Sequence, residues 1–316
     1  MREISRFQAV SLCVIPHKSA QVRAVIDQWG TTQHPISVLE MDYNDCWFRD
    51  SAPTFVIHRD RYEVRGVDWN FNGWGNQFAH EKDVHIARRV LEYAGKRRYK
   101  CPLVMEGGSF HSDGLGTLIT TAECLLNPNR NPQCSKADIE ALLCEYLAVQ
   151  KIIWIEWGVY GDSDTAGHVD NLCCFVRPGE VALTFPSDPS HPQYDRSQAA
   201  LEVLKKERDA RGLPLTVHLV EHPPLLYRNK EEIESLQGEK REELLAASYL
   251  NFYIGNQFVL MPGFGVDSDV VAFNQLSAIF PSHNVIQIPA REILFGGGNI
   301  HCITQQQPRT RIPLPF

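Results

Sequence analysis

Two short β-type runs, a helix and a third β-type run recur along this chain, and that order restricts the available folds more than any single motif does. Residues 10–15 read as a strand, 21–29 as an amphipathic helix and 36–41 as a second strand. Residues 53–58 and 62–67 make a hairpin signal, followed by a loop over 70–76, a helix over 83–94 and an extended run at 103–105. Next come a β-rich run at 117–121, a turn cluster at 127–132, a helix over 138–148 and a strand at 151–156. Runs 171–176 and 181–185 flank Arg177-Pro178-Gly179-Glu180, a hairpin turn, before a helix over 197–210 ended by Gly212 and a strand at 216–221. The charge-dense stretch 230–243 reads as an exposed helical insertion or loop. Beyond it, runs 248–253 and 257–261 surround Gly255-Asn256, then a helix covers 269–280 and a strand 285–288 leads to three glycines. Five helices, each followed by a strand and most preceded by a hairpin, give a loose five-fold ββαβ repeat. Hairpins pair antiparallel and helical crossovers pair parallel, so mixed sheets follow. No low-complexity linker interrupts the order, so a single domain over 1–316 is expected.

Composition narrows the function class. Hydrophobic residues are 43% and charged residues 22%, the profile of an ordinary soluble globular protein. A net charge of -7 and a pI near 5.9 argue against a nucleic-acid partner, which demands a basic face. No apolar run is long enough for a membrane span, and the short run at 9–15 lacks a cleavage pattern, so no membrane partner is expected. Nine cysteines at irregular spacing, with no Cys-x-x-Cys pair, point to reduced thiols and a cytoplasmic protein.

Four stretches carry residues suited to chemistry. In Gly296-Gly297-Gly298-Asn299-Ile300-His301-Cys302 a thiol follows residues of high backbone freedom, which suits close approach to a ligand or a tight bend before a buried cysteine. His168 and Asp170 stand two apart, so on an extended segment they share a face and could act as acid and base; the alternative is a polar loop with Asp162, Asp164 and Asp170 as turn formers. Asp50 beside Arg49 is a binding carboxylate or a surface ion pair, and Glu106 before two glycines is a binding carboxylate or a turn cap. His301, next to Cys302, points away on an extended segment and reads as structural, as do Cys173 and Cys174 in an apolar strand. A zinc site from Cys302, His301 and His168 lacks ligand spacing.

Taken together, Trp47-Phe48-Arg49-Asp50, Phe71-Asn72-Gly73-Trp74-Gly75, Glu106-Gly107-Gly108, residues 125–132, 164–171 and 296–307 make the chain resemble the agmatine deiminase family. That family lies within the guanidino-modifying enzymes, which include arginine and peptidylarginine deiminases. The resemblance runs through nearly the whole chain and implies the five-bladed α/β propeller, or pentein, fold, in agreement with the five modules counted from periodicity. It implies hydrolysis of agmatine, a small cationic guanidino substrate, to N-carbamoylputrescine and ammonia in putrescine and polyamine biosynthesis. Cys302 would be the nucleophile, His168 the acid and base, and Asp50, Glu106 and Asp170 the carboxylates that receive the guanidinium. Trp47 and Trp74 would lie along the methylene tail, Trp74 with some exposure near a pocket; core packing is the alternative for both. No metal or organic cofactor is required, and a homodimer is compatible. A free thiol is mostly protonated near neutral pH, so activation would depend on the arriving cation.

Two departures from the family pattern stand out. The family carries a further N-terminal segment before the first strand, so the first module is expected to lack a strand, which bears on stability, dimer contacts and tail recognition. Ala52 stands where a glycine is usual. The alternatives are a deiminase of arginine or peptidyl-arginine, or a truncated, non-catalytic polyamine-binding homologue.

Overall fold

The structure is a computed structural model that describes residues 1–58, 60–235 and 244–309. Its strands are β1 Val10–Val14, β2 Ile36–Glu40, β3 Thr54–His58, β4 Glu63–Asp68, β5 Arg97–Lys100, β6 Phe110–Ser112, β7 Thr117–Thr121 and β8 Lys151–Ile155. They continue with β9 Cys173–Arg177, β10 Glu180–Thr184, β11 Thr216–Val220, β12 Leu226–Tyr227, β13 Leu244–Leu245, β14 Tyr253–Gly255, β15 Phe258–Gly263 and β16 Asn284–Pro289. Four sheets repeat one plan: β3-β4-β5, β6-β7-β8, β9-β10-β11 and β14-β15-β16 each join an antiparallel hairpin to a parallel strand reached through a helix. The first sheet has only β1 and β2, parallel and joined by helix Ser19–Gln28.

What closes these modules into a ring is the period of the strand. Along β7, Leu118 packs with Val67 and Met105 of the preceding module while Ile119 packs with Phe175 and Val181 of the next. Neighbouring residues on β10 and β15 divide in the same way: Leu183 and Ala182 enter different cores, as do Leu260 and Met261. Successive side chains of a strand point to opposite faces, so each central strand is buried on both sides against a different neighbour. Val10 and Phe7 pack against Phe258 and Leu260, which joins the fifth module to the first; Cys13 and Leu39 pack with Ala52 and Ile86, which joins the first to the second. Five shared cores for five modules make the five-bladed α/β propeller. Among the described residues no helix is long and apolar enough to cross a membrane.

Several expectations need correction. The third strand of the second module is the charged edge strand Arg97–Lys100, and residues 103–105 are a buried crossing, fixed where Asn131 Oδ1 accepts Val104 N (2.9 Å) and Asn131 Nδ2 donates to Val104 O (2.8 Å). An apolar run signals burial, whereas edge strands favour charge. The helix expected over 197–210 is Tyr194–Lys206; beyond it Asp209 accepts Arg211 N and Leu213 N and builds a turn. The last hairpin turns at Asn256-Gln257 with Gln257 at φ 65°, so 248–252 lie before it. Helix Arg291–Phe295 separates β16 from the glycines. Of the charge-dense stretch, Lys230–Ser235 is helical and 236–243 lie outside the described residues. Ala52 has φ -83°, so the position does not call for glycine.

Candidate active site

Four of the five modules deliver polar side chains from the same place, the few residues before their first strand. Asp50 lies on the helical turn Phe48–Ser51 before β3, Glu106 and Gly108 at the turn before β6, His168 and Asp170 at the turn before β9, and Asn251 just before β14. Cys302 comes from the turn after helix Arg291–Phe295. The repeat thus brings residues distant in sequence to the hub of the ring, where all of them are buried.

Gly108 marks the centre. A Cβ there would lie 2.6 Å from His168 Nδ1, 2.9 Å from Asp50 Oδ1 and 3.0 Å from Asp170 Oδ2, so three functional atoms surround a point only glycine leaves open. His168 is not a solvated loop residue. Its Nδ1 lies 3.9 Å from Asp50 Oδ1 and its Nε2 3.6 Å from Glu106 Oε2. Asp162 is a turn former, accepting from the backbone N–H of Thr165 and of His168, each at 3.1 Å, and so fixes the backbone at His168.

The nucleophile candidate lies opposite. Cys302 Sγ is 3.6 Å from Asp170 Oδ2 and within 3.4 Å of the Asn251 amide, whose Oδ1 also accepts His301 N at 3.0 Å and Cys302 N at 3.3 Å. Residues 299–304 form a tight turn, with Ile303 N bonded to Asn299 O and Thr304 N to His301 O. His301 therefore does not point away as an extended segment would require: its Nδ1 lies 2.8 Å from Asp170 Oδ2. Arg49, rather than pairing at the surface with Asp50, is buried and donates its backbone N–H to Cys302 O at 2.9 Å, its Nε to His301 O, and Nη2 to Gln306.

Electrostatics sort these groups. Burial raises Asp50 to about 6 despite the attraction of His168, with Asp170 and Glu106 adding to the rise. Burial likewise raises Asp170, against His168 and Arg49. Burial disfavours the His168 cation, yet Asp50 and then contacts with Cys124 and Glu106 outweigh it and hold the pKa well above the usual value. For the Cys302 thiol, burial, Asp170 and Asp50 push the pKa well up, opposed by the Asn299 backbone and the Asn251 side chain. Burial and Arg49 keep His301 neutral, so its Nδ1–H donates to Asp170.

Glu106 differs from the other two carboxylates. Its Oε1 takes Arg130 Nε at 2.8 Å with both side chains fully buried, and burial is outweighed by His168 and Arg130, which keep its pKa low. It lies on the Nε2 side of His168, and neither Glu106, His168 nor Asp170 is among the residues lining the cleft. Glu106, Cys124 and His168 present ligand atoms within 4.8 Å of one another, but the Arg130 guanidinium pairs with Glu106 and His168 is itself held protonated, so two cationic groups already stand where a metal would bind.

The cleft over Cys302, about 360 Å3 with its open mouth, is lined by Trp47, Asp50, Trp74, Phe78 and the glycines, with Asp45 and Asp164 at its edge; none of the described lining residues is basic. Trp74 is buried rather than exposed. Its ring sits edge-on between Phe71 and Phe78, at 5.1 and 5.6 Å, and its Nε1–H donates to Asp50 Oδ2 at 2.9 Å. Trp47 both lines the cleft and packs on the glycine turn, where a Cβ on Gly298 would come 2.6 Å from its ring. Sequence reasoning missed Asn251 and left Arg130 without a role. The available signal was the repeat itself: Asn251 occupies in the fifth module the place that Asp50, Glu106 and Asp170 hold in theirs.

A thiol, a histidine and paired carboxylates at the hub of five α/β modules define a class, and the Porphyromonas-type peptidyl-arginine deiminase family model matches residues 1–308: the chain belongs to that family. Within it, the chain is similar to agmatine deiminases. It is 47% identical over 322 residues to the agmatine deiminase of Pseudomonas aeruginosa (strain LESB58), covering 98% of this chain and 86% of that protein. The solved agmatine deiminase of Enterococcus faecalis aligns with a TM-score of 0.90 at 39% identity, over 98% of this chain and 86% of that one. A cysteine-to-serine variant of the C. jejuni agmatine deiminase with substrate bound aligns with a TM-score of 0.83 at 27% identity, over 96% and 84% of the two chains.

Proposed function

We propose that this protein is an agmatine deiminase, converting agmatine and water to N-carbamoylputrescine and ammonia through a covalent amidino-thioether on Cys302. The observation that carries the reading is a pair of buried carboxylates, Asp50 and Asp170, that face the thiol and have no Arg or Lys salt-bridge partner among the described residues. A guanidinium is always protonated and presents N–H donors in a plane, so it supplies both the missing charge and the missing donors. The cleft offers no basic side chain among its described residues for the α-carboxylate of arginine, which favours agmatine.

In this reading the arriving cation lowers the thiol pKa and the thiol proton leaves to water. The thiolate attacks the guanidinium carbon. Protonated His168 gives its proton to one amino group of the tetrahedral adduct, the C–N bond breaks and ammonia departs, leaving the amidino-thioether. Neutral His168 then takes a proton from water, the hydroxide adds to the same carbon, and the C–S bond breaks to give the thiolate and, once the hydroxyl proton passes to water, the ureido product. Glu106, paired with Arg130, holds the His168 cation and leaves the substrate to Asp50 and Asp170. Trp47 and Trp74 wall the methylene tail. A cytoplasmic setting belongs to the proposal and is supported by nine cysteines, none of them in a disulfide.

Ammonia release from agmatine, free arginine and an arginine-containing peptide tests this. Agmatine is expected to be the preferred substrate, and Cys302→Ser to bind it without releasing ammonia. Preference for the peptide would move the protein to the activity its family model describes, and binding without turnover by the unaltered protein would make it a polyamine-binding module.

A further inference from the structure

We propose that Asn251 is a catalytic residue that holds the Cys302 sulfur in both of its protonation states. The inference deepens the reading above by naming a residue no sequence motif supplied, and it rests on that reading for the identity of the reaction alone.

The argument begins with which way the amide faces. Asn251 is fully buried, so each of its polar atoms must find a partner in the protein. Two backbone donors, His301 N at 3.0 Å and Cys302 N at 3.3 Å, point at one end of the amide, and a donor can be met only by an acceptor; that end is therefore Oδ1. The opposite end is Nδ2, which carries two hydrogens. One goes to Asn171 Oδ1 at 3.0 Å, and the other faces Cys302 Sγ at 3.2 Å. The network assigns the orientation, and rotating the amide would set its NH2 group against two N–H groups.

That orientation serves a sulfur that changes charge. As a thiol, Cys302 can donate to Asn251 Oδ1 at 3.4 Å or to Asp170 Oδ2 at 3.6 Å. As a thiolate it needs a donor, and the Asn251 Nδ2–H is already in place, so no side chain has to move when the proton leaves. The need is acute because of what else surrounds the sulfur. Asp170 and Asp50 repel a negative charge there, His301 is neutral, and the Arg49 guanidinium, whose backbone grips the Cys302 carbonyl, is the nearby fixed cation. The substrate cation is present only for the first half of the reaction. When the amidino-thioether breaks, the thiolate returns beside a neutral product, and the Asn251 donor stabilises that leaving group when the guanidinium charge has gone.

The test reads the thiol directly. Asn251→Asp keeps an oxygen for the two backbone donors and loses both N–H groups; Asn251→Ala removes the donor without adding a charge. The rate of alkylation of Cys302 by iodoacetamide, followed by mass spectrometry of its peptide across pH, needs no substrate and so stands even if agmatine is not turned over. A hydrogen bond to a charged group sets the scale: alkylation at pH 8 should fall roughly 10- to 100-fold in both variants, with the profile displaced upward by about one to two pH units. Ammonia release at saturating agmatine should fall by a similar factor, with KM changed less than about threefold. Folded variants with an unchanged alkylation profile would overturn the proposal, and so would loss of fold in both, since either result assigns Asn251 to the scaffold alone. Failure of the unaltered protein to act on agmatine, with the alkylation shift intact, would instead overturn the proposed substrate.

Discussion

The two walls of the His168 pocket are both acidic and do opposite things with their charge. On one wall Glu106 already holds a guanidinium, that of Arg130, and stays ionised; on the other, Asp50 and Asp170 have no such partner among the described residues and are driven toward protonation. The first wall is a completed ion pair that costs its desolvation once and stands 3.6 Å from the His168 ring. The second has His168 beside Asp50 and the charge of Arg49 acting on Asp170, but no paired guanidinium among the described residues. The contrast teaches that a binding site for a cation can be recognised by carboxylates that are buried, hydrogen-bonded and still uncomfortable.

The largest effect should come from the uncompensated wall. Asp50→Asn is expected to lower kcat/KM for agmatine by roughly 10²- to 10³-fold, the scale of removing one charged contact from a preorganised site. The stability change should have the other sign. Because the folded pKa of Asp50 is raised, to about 6, its ionised form destabilises the fold above that pH, and the penalty vanishes once the group is protonated in both folded and unfolded chains, near pH 3.8. The full shift corresponds to roughly 3 kcal/mol, and losing one acceptor for Gly108 N or Trp74 Nε1 returns about 1 kcal/mol of it. The variant should therefore melt higher than the unaltered protein at pH 7.5, by a margin that shrinks as pH falls from 6 toward 4. A lower melting point at pH 7.5 would mean that Asp50 is a structural carboxylate and would erase the contrast.

Most of this arrangement was legible in the sequence, and the misses have two causes, one distant and one local. The five-fold repeat followed from periodicity because each module must bury both faces of its central strand. Asp50, Glu106, His168, Asp170 and Cys302 were candidates beside turns, each with a structural alternative, and the resemblance to a family singled them out as a set. The partner of each group was not legible. That Glu106 belongs to Arg130 and that Asn251 belongs to Cys302 depends on which loops meet at the hub, and those loops are up to about 50 residues apart. His301 was misplaced for a local reason, since a side chain's direction beside a glycine run depends on whether the chain continues as a strand or coils into the turn that Thr304 closes.

Glu106→Gln sharpens the comparison from the compensated side. Removing that charge leaves Arg130 buried among neutral acceptors, the new amide oxygen, Asn129 Oδ1 and Thr165 O among the described residues, so a stability loss of about 3 kcal/mol is expected at neutral pH. Since the folded pKa of Glu106 is lowered, the stability it contributes is present above the ordinary glutamate range and fades as pH falls through the folded value, so the variant's deficit should narrow in acid. KM for agmatine should move little. A weakened KM with unchanged melting would place Glu106 on the substrate after all.

The smallest effect isolates a single hydrogen bond. Trp74→Phe keeps an aromatic ring between Phe71 and Phe78 and leaves the backbone at φ 53° as it is, but withdraws the Nε1–H that Asp50 Oδ2 accepts at 2.9 Å. That donor favours the carboxylate, so its loss should raise the Asp50 pKa beyond about 6. The free enzyme's acid limb appears in kcat/KM, which should decline below about pH 6 in the unaltered protein and begin its decline about one unit higher in the variant. Activity should then be down about threefold at pH 6.5 and nearly restored at pH 8.5, where Asp50 is ionised with or without the indole. A deficit that is the same at both pH values would mean that Trp74 acts through its ring against the substrate tail, which would make the aromatic wall, rather than the charge state of Asp50, the part of the cleft that the indole serves.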